Sequence, residues 1–427
     1  MIGSVKRKLM TISLGLLVCV AVLTALSIRA QQKQQEGTPQ STPTPTPAPR
    51  ITLKSIRGVE NPAGLDKFFR ALSTVKRRIE PVRIMHFGDS HTAADILTAE
   101  IRRRFQAEFG DGGAGYMVPR NPMSTPRRGV LSGATSGWTI DGIGGRVEVN
   151  GIYGLAGIGL STTQADERAW IEATCNHFEI YYLRQPGGGK IDITVDGMSV
   201  LEEPLSLASD APLPDYFTAP LPADRIHRIE VRTAAPGKTR ILGIVTEHIA
   251  PGVSYDVLGI NGARAKRLIS WNDTAFVDNI VQRKPDLIIV AYGTNEVADD
   301  DWTIESYQRM FAAILRRFKR AAPQASILVY GPPDRADRPL DGKLAAMLEA
   351  QRRAAFEVGA AFWSSYGAMG GPGSMDVWAS MGLGQGDHVH LTKDGYIRMG
   401  SMFYEDVYDA YKKYLTRAPR NPPPRKK

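Results

Sequence analysis

The sequence predicts an α/β fold in which a parallel sheet, covered by helices on both faces, is interrupted by an all-β insertion. Three observations predict it. Val82–Phe87 reads as a buried strand that runs straight into Gly88-Asp89-Ser90-His91 and a helical pattern from Ala93 to Phe109, the opening of an α/β unit. From about Ser254 strand and helix patterns alternate to the end, the rhythm of a parallel sheet wound by crossover helices. Between these parts, residues 129–250 hold short β-rich runs separated by Gly, Pro and Asp turns, with few long helical patterns, as in a β-sandwich.

Taken in order, the chain begins with a targeting segment. Lys6–Lys8 precede twenty uncharged residues, Leu9 to Ile28, ending at Arg29. Residues 1–30 therefore read as a cleaved signal peptide or an N-terminal membrane anchor, since about twenty apolar residues can also span a bilayer. Either delivers the remainder outside the cytoplasm, because the basic flank stays inside. The Pro- and Thr-rich stretch 31–50 cannot bury a core and serves as an extended spacer. Folded structure is expected from Ile51, with a helix over Asp66–Ile79 ahead of the first strand. Within the β-rich stretch, Phe178–Leu183, Lys190–Val195, His227–Val231 and Ile241–Thr246 are strand candidates. In the second of these Ile191, Ile193 and Val195 alternate with polar partners, the mark of a half-buried strand. Farther on, Tyr255–Ile260, Asp286–Ala291, Ser326–Tyr330 and Ala361–Trp363 read as strands. Ala265–Asn272, Ile304–Ala322, Leu344–Val358 and Asp394–Tyr414 read as helices. The α/β domain then comprises 51–128 and 251–416, and 417–427 form a basic, Pro-rich tail.

Charge and cysteine content remove several functions. Of the formal net charge of +9, residues 1–30 contribute +4 and residues 417–427 contribute +5, so the body between them is neutral. No basic face for nucleic acid is expected in the folded part. Only Cys19 and Cys175 are present, and Cys19 lies in the apolar leader. The mature body thus holds one thiol, which allows neither an internal disulfide nor a cysteine metal site.

Four segments carry candidate chemistry. Ser90 sits just past the end of a buried strand, the edge where open α/β sheets place their sites, although Asp89 or Ser90 could equally cap the following helix. Gly259-Ile260-Asn261-Gly262-Ala263 follows a second strand, and Gly262 could offer an unobstructed N–H to a developing oxyanion. Asn295, in Gly293-Thr294-Asn295-Glu296 after the most apolar strand, could add a side-chain N–H to the same oxyanion, or act as a turn residue. Asp387-His388-Val389-His390 sets a carboxylate three residues ahead of a histidine, a spacing that can fix the imidazole tautomer. The competing reading of that segment is a metal site of Asp387, His388 and His390, with His86 and His91 as further ligands, but no zinc-type histidine spacing supports it.

In the order serine, glycine, asparagine and Asp/His, the set resembles the SGNH (GDSL-like) hydrolase superfamily. The resemblance covers about residues 51–128 and 251–416. It implies a three-layer α/β/α, flavodoxin-like domain with Ser90 as nucleophile and oxyanion donor. Gly262 and Asn295 would be the second and third donors, and His390 the base oriented by Asp387, with no metal or organic cofactor. His91 stands where leucine is common. Ser90 and Gly262 are 172 residues apart, whereas a strand–helix–strand unit needs only about 30, and the excess falls on the β-rich stretch. His86–Asp95, the Arg-rich helix after it and Phe109–Tyr116, with a β insert before the glycine segment, look like the bacterial peptidoglycan O-acetylesterases, whose insert resembles a carbohydrate-binding module. Tyr366–Gly371, Ser374-Met375 and Trp378 also look like that group and could contact substrate. The implied function is removal of 6-O-acetyl groups from N-acetylmuramoyl residues of peptidoglycan, in the periplasm or cell envelope. A polysaccharide O-acetyltransferase with the same triad, and a wall-binding protein with an inactive hydrolase shell, stay open at this point.

Overall fold

Five parallel strands form the centre of the fold. In the computed structural model, which describes residues 55–121, 126–142 and 151–417, they are β1 (Val82–Gly88), β2 (Val253–Gly259), β3 (Leu287–Ala291), β4 (Ser326–Gly331) and β5 (Ala361–Ser364). They lie in the order β2-β1-β3-β4-β5 and every neighbouring pair is parallel. This is the flavodoxin-like order, whose direction of winding reverses beside β1. The targeting segment (1–30), the spacer (31–50) and the basic tail beyond Arg417 lie outside the described residues.

Strand residues alternate between two buried layers, as the period of two requires. Val82, Ile84, Leu287, Ile289, Leu328 and Trp363 pack on one side with helices α1 (Asp66–Ser73), α2 (Leu97–Phe109) and α6 (Lys393–Arg417). Met85, Phe87, Ile288, Val290, Ile327 and Phe362 pack on the other with α3 (Asp273–Arg283), α4 (Ile304–Ala321) and α5 (Lys343–Glu357). The three-layer α/β/α architecture follows.

Some boundaries differ from expectation for local reasons. The helix expected over 93–109 is broken: a single turn, Ser90–Ala93, ends before α2 begins at Leu97. Between them Asp95 takes a left-handed φ of 42°, and its carboxylate accepts hydrogen bonds from Thr98 Oγ1 at 2.8 Å and from Arg102 at 3.0 and 3.2 Å. The first helix stops at Ser73, and a 3₁₀ turn follows at Val75–Arg77. Ala265–Ile269 is likewise a short 3₁₀ turn, and the long helix of that region is α3, whose start is capped by Asn272 accepting from the N–H of Ala275.

Between β1 and β2 the described residues build a ten-stranded antiparallel sheet, consistent with the expected all-β insertion. Its first strand, Gly115–Met117, pairs with Thr239–Glu247, ahead of residue 129. Two of its strands are far longer than the sequence pattern indicated: Arg168–Arg184 and Leu213–Ala235 pair from Leu213 with Arg184 through to Arg232 with Arg168. A register shift between Pro220 and Arg225 absorbs the polar Pro-Ala-Asp interruption that had hidden the continuity. Ile180, Tyr181, Ile241 and Ile244 of this sheet belong to one buried cluster with Met85 and Phe87 of β1.

A buried ionic cluster joins the two sheets. Arg283 of α3 is fully buried and donates to Asp256 of β2 at 2.8 and 2.9 Å and to Glu247 of the antiparallel sheet at 2.6 Å. Arg83 of β1 forks onto the same Glu247 at 2.9–3.1 Å. Burial alone would raise the Glu247 carboxyl, but the two guanidiniums outweigh it and hold it well below the usual carboxylate range. A carboxylate depressed in the folded state contributes stability that is present above its unfolded pKa and lost as pH falls through the folded one. Removing Arg283 leaves Asp256 without the guanidinium that pairs it and Glu247 with one arginine instead of two, in a dry site, so Arg283→Ala is expected to lower the unfolding free energy by about 3–5 kcal/mol. Urea unfolding at neutral pH measures this, and a change below about 1 kcal/mol contradicts the role given to the cluster.

Candidate active site

Parallel pairing sets the site. Gly88 at the end of β1 lies level with Gly259 of β2 and Ala291 of β3, so the segments bearing Ser90, Gly262 and Asn295 leave the sheet side by side at its carboxyl edge. A Cβ at Gly88 would collide with Thr92 Oγ1 and Ala291 O, so the tight exit from β1 needs glycine. The turn is fixed by Asp89, which is buried and accepts the N–H of His91 at 3.1 Å. Burial pushes the Asp89 carboxyl up to about 6, against the hydrogen bonds it accepts.

His390 arrives from the far end of the chain. Its Nε2 lies 2.8 Å from Ser90 Oγ, and its Nδ1 lies 2.6 Å from Asp387 Oδ2. The backbone N–H groups of Val389 and His390 donate to Asp387 Oδ1 at 3.0 and 2.9 Å. Partial burial would raise Asp387, but the His390 and Val389 hydrogen bonds prevail and bring it down to about 2. A carboxylate that stays ionised accepts the Nδ1–H, which assigns Nε2 as the acceptor for the serine proton. The loop holding the pair is braced: Gln385 N–H donates to His390 O at 2.8 Å, and Ala336 N–H, from the segment after β4, donates to His388 O at 2.9 Å.

Gly262 takes a left-handed φ of 73°, a conformation that favours glycine, and a Cβ there would meet nothing within 4 Å. The space on its side-chain side is therefore open. Asn295 donates from Nδ2 to Ala263 O at 2.9 Å, which orients the amide and uses one of its two N–H groups. No sequence pattern marks the Ala263 carbonyl for this role, because a backbone group carries no residue signature.

The other histidines have their own partners. His86 is fully buried, with Nδ1 2.8 Å from the Tyr255 hydroxyl. His388 turns Nδ1 to Asp376 at 2.8 Å. His91 packs its ring 5.2 Å from that of His390 and meets the Tyr396 hydroxyl at 2.9 Å. Burial pushes His91 down to about 3, so it is neutral beside His390 at neutral pH. Among the described residues, the grouping whose metal-ligating atoms converge is His177, Glu179 and Glu247, where Glu247 is already spent on two arginines. In the Gly-rich stretch, Met369, Met375 and Trp378 are core residues. Asp334 accepts the Met375 N–H at 2.9 Å, and the stretch reaches toward the His390 loop through Asp376.

Residues 233–398 match the GDSL-like lipase/acylhydrolase family. Gly262, Asn295, Asp387 and His390 fall inside this range and Ser90 outside it. Comparison with curated proteins gives no match. Among solved structures, a peptidoglycan O-acetylesterase aligns over 81% of this chain and 96% of its own at 25% identity and a TM-score of 0.69. A family two carbohydrate esterase from Cellvibrio japonicus is more distant, at 14% identity and a TM-score of 0.29, over 67% of this chain and 98% of its own.

The hydroxyl–imidazole–carboxylate line can transfer an acyl group. Asp387→Asn offers an amide N–H where the carboxylate accepted one and favours the wrong tautomer of His390. Turnover of p-nitrophenyl acetate is expected to fall by about 10⁴-fold, with little change in melting temperature because Asp387 is nearly half exposed. Unchanged turnover would take Asp387 out of the line.

Proposed function

We propose that this carboxylic ester hydrolase, built on a GDSL-like acylhydrolase domain, removes O-acetyl groups from a cell-wall polysaccharide outside the cytoplasm, namely the 6-O-acetyl groups of N-acetylmuramoyl residues in peptidoglycan. The observation that carries the chemistry is the hydrogen-bonded line from Ser90 through His390 to Asp387. Ser90 Oγ attacks the acetyl carbonyl while His390 Nε2 takes its proton. The oxyanion is held by the N–H groups of Ser90, Gly262 and Asn295. His390 returns the proton to the departing sugar hydroxyl, and water, deprotonated by the same imidazole, releases acetate and regenerates the serine. Asp387 offsets the positive charge that forms on His390, and neutral His91 adds no competing charge.

The substrate reading is supported by similarity to a peptidoglycan O-acetylesterase over most of both chains. His390 and Asp387 are one third and nearly one half exposed, an open rim that suits an ester carried on a polymer. The basic and apolar pattern of residues 1–30 supports the location.

Acetate released from O-acetylated peptidoglycan, acetylated xylan and acetylated alginate tests both parts. Release is expected to be fastest from peptidoglycan and to drop to background in Ser90→Ala. Preference for xylan or alginate would overturn the substrate, acetyl transfer to a glycan acceptor without acetate release would overturn hydrolysis, and an active Ser90→Ala would overturn the chemistry.

A further inference from the structure

Glu296, next to Asn295, is 4% exposed, and its side chain reaches across to the loop that carries Gly262. Glu296 Oε1 accepts the backbone N–H of Ala265 at 3.2 Å and the Tyr307 hydroxyl at 3.1 Å. Gln351 Nε2 braces Tyr307 by donating to its hydroxyl at 3.1 Å, and donates also to Tyr292 O, at the end of β3, at 2.7 Å. The Trp302 indole N–H holds the Glu296 backbone through its carbonyl at 3.0 Å. Two short cross-links therefore tie the segment after β3 to the segment after β2: Asn295 to Ala263, and Glu296 to Ala265. Arg264 and Asp299 add a third at the surface, at 2.7 and 2.8 Å.

We infer that Glu296 is a positioning residue for the oxyanion hole, setting the distance between the Gly262 N–H and the Asn295 amide. The inference rests on the reading of those two groups as oxyanion donors. It follows from geometry: Ala265 is three residues beyond Gly262, and Glu296 is the neighbour of Asn295, so one buried carboxyl governs both donors. Glu296 also lines a pocket of about 190 Å³ together with Trp302, Tyr307 and Met310. A misplacement of about 1 Å at a reacting centre can cost about 10²-fold. Burial pushes the Glu296 carboxyl up to about 7 and its Oε2 has no hydrogen-bond partner, so an uncharged amide is a close mimic that keeps the accepting oxygen.

The test compares Glu296→Ala, Glu296→Gln and Asn295→Ala on p-nitrophenyl acetate, with melting temperature and circular dichroism recorded for each. Glu296→Ala is expected to lose about 10- to 100-fold in kcat with KM changed by less than about twofold, because the acetyl group is bound but its oxyanion poorly held. Glu296→Gln is expected to recover kcat to within about threefold, a rescue that loss of bulk packing would not show. Should Glu296→Ala fail to fold, Tyr307→Phe removes a single supporting hydroxyl and is expected to lower kcat by about 3- to 10-fold. Wild-type kcat in Glu296→Ala, or in Tyr307→Phe where the alanine variant does not fold, beside a defective Asn295→Ala would overturn the positioning role and leave the oxyanion reading intact. Wild-type kcat in Asn295→Ala would overturn that reading itself.

Discussion

The register of β1 between β2 and β3 is the constraint on which the rest depends. With Gly88 level with Gly259 and Ala291, three segments separated by long stretches of chain leave one edge of the sheet together. Ser90, Gly262 and Asn295 follow these three strand ends by only two, three and four residues. A slip of one residue in either pairing would turn strand side chains to the wrong layer, so the two hydrophobic faces that hold the sheet together also hold the site. His390 is not delivered by a strand. It depends on the braced loop between Leu383 and Thr392, whose N–H and carbonyl groups meet at 2.9 Å.

Stability and chemistry are divided between the two ends of β1. Arg83, near the start of the strand, reaches the antiparallel sheet through Glu247, and Arg283 extends the cluster to Asp256 of β2. Ser90 follows the other end. This cluster of two arginines and two carboxylates therefore sits away from the rim that carries Ser90. Next to the rim the burial of His91 has the opposite use: it keeps a second imidazole neutral beside His390, the proposed proton acceptor.

Much of this was legible in the sequence, and the remainder was hidden for physical reasons. Apolar runs such as Leu287–Ala291 and Ser326–Gly331 announce buried parallel strands because both their faces are covered. The motifs around Ser90, Gly262, Asn295 and Asp387 were visible because turn and site chemistry require particular residue types at strand ends. The break at Asp95 was not visible, since it depends on Arg102 and Thr98 meeting one carboxylate. Helix α3 lies just beyond the helix expected over Ala265–Asn272, although Phe276, Val277, Ile280 and Val281 repeat at helical spacing. The span of Leu213–Ala235 was obscured by its polar middle, where tertiary pairing overrides local preference. The tie from Glu296 to Ala265 involves a backbone N–H, which no side-chain pattern can report.

The central claim is that groups from distant parts of the chain converge on a single hydroxyl and activate it. Exposing the native protein to an organophosphate ester such as diethyl p-nitrophenyl phosphate and mapping the adduct by peptide mass spectrometry tests this most directly, since such a reagent modifies a serine only where a neighbouring base and oxyanion donors are already in place. The account predicts one phosphoryl group, on Ser90, with loss of esterase activity in proportion to labelling. Full inactivation with Ser90 unmodified, or a label that forms equally fast in His390→Ala, would contradict it.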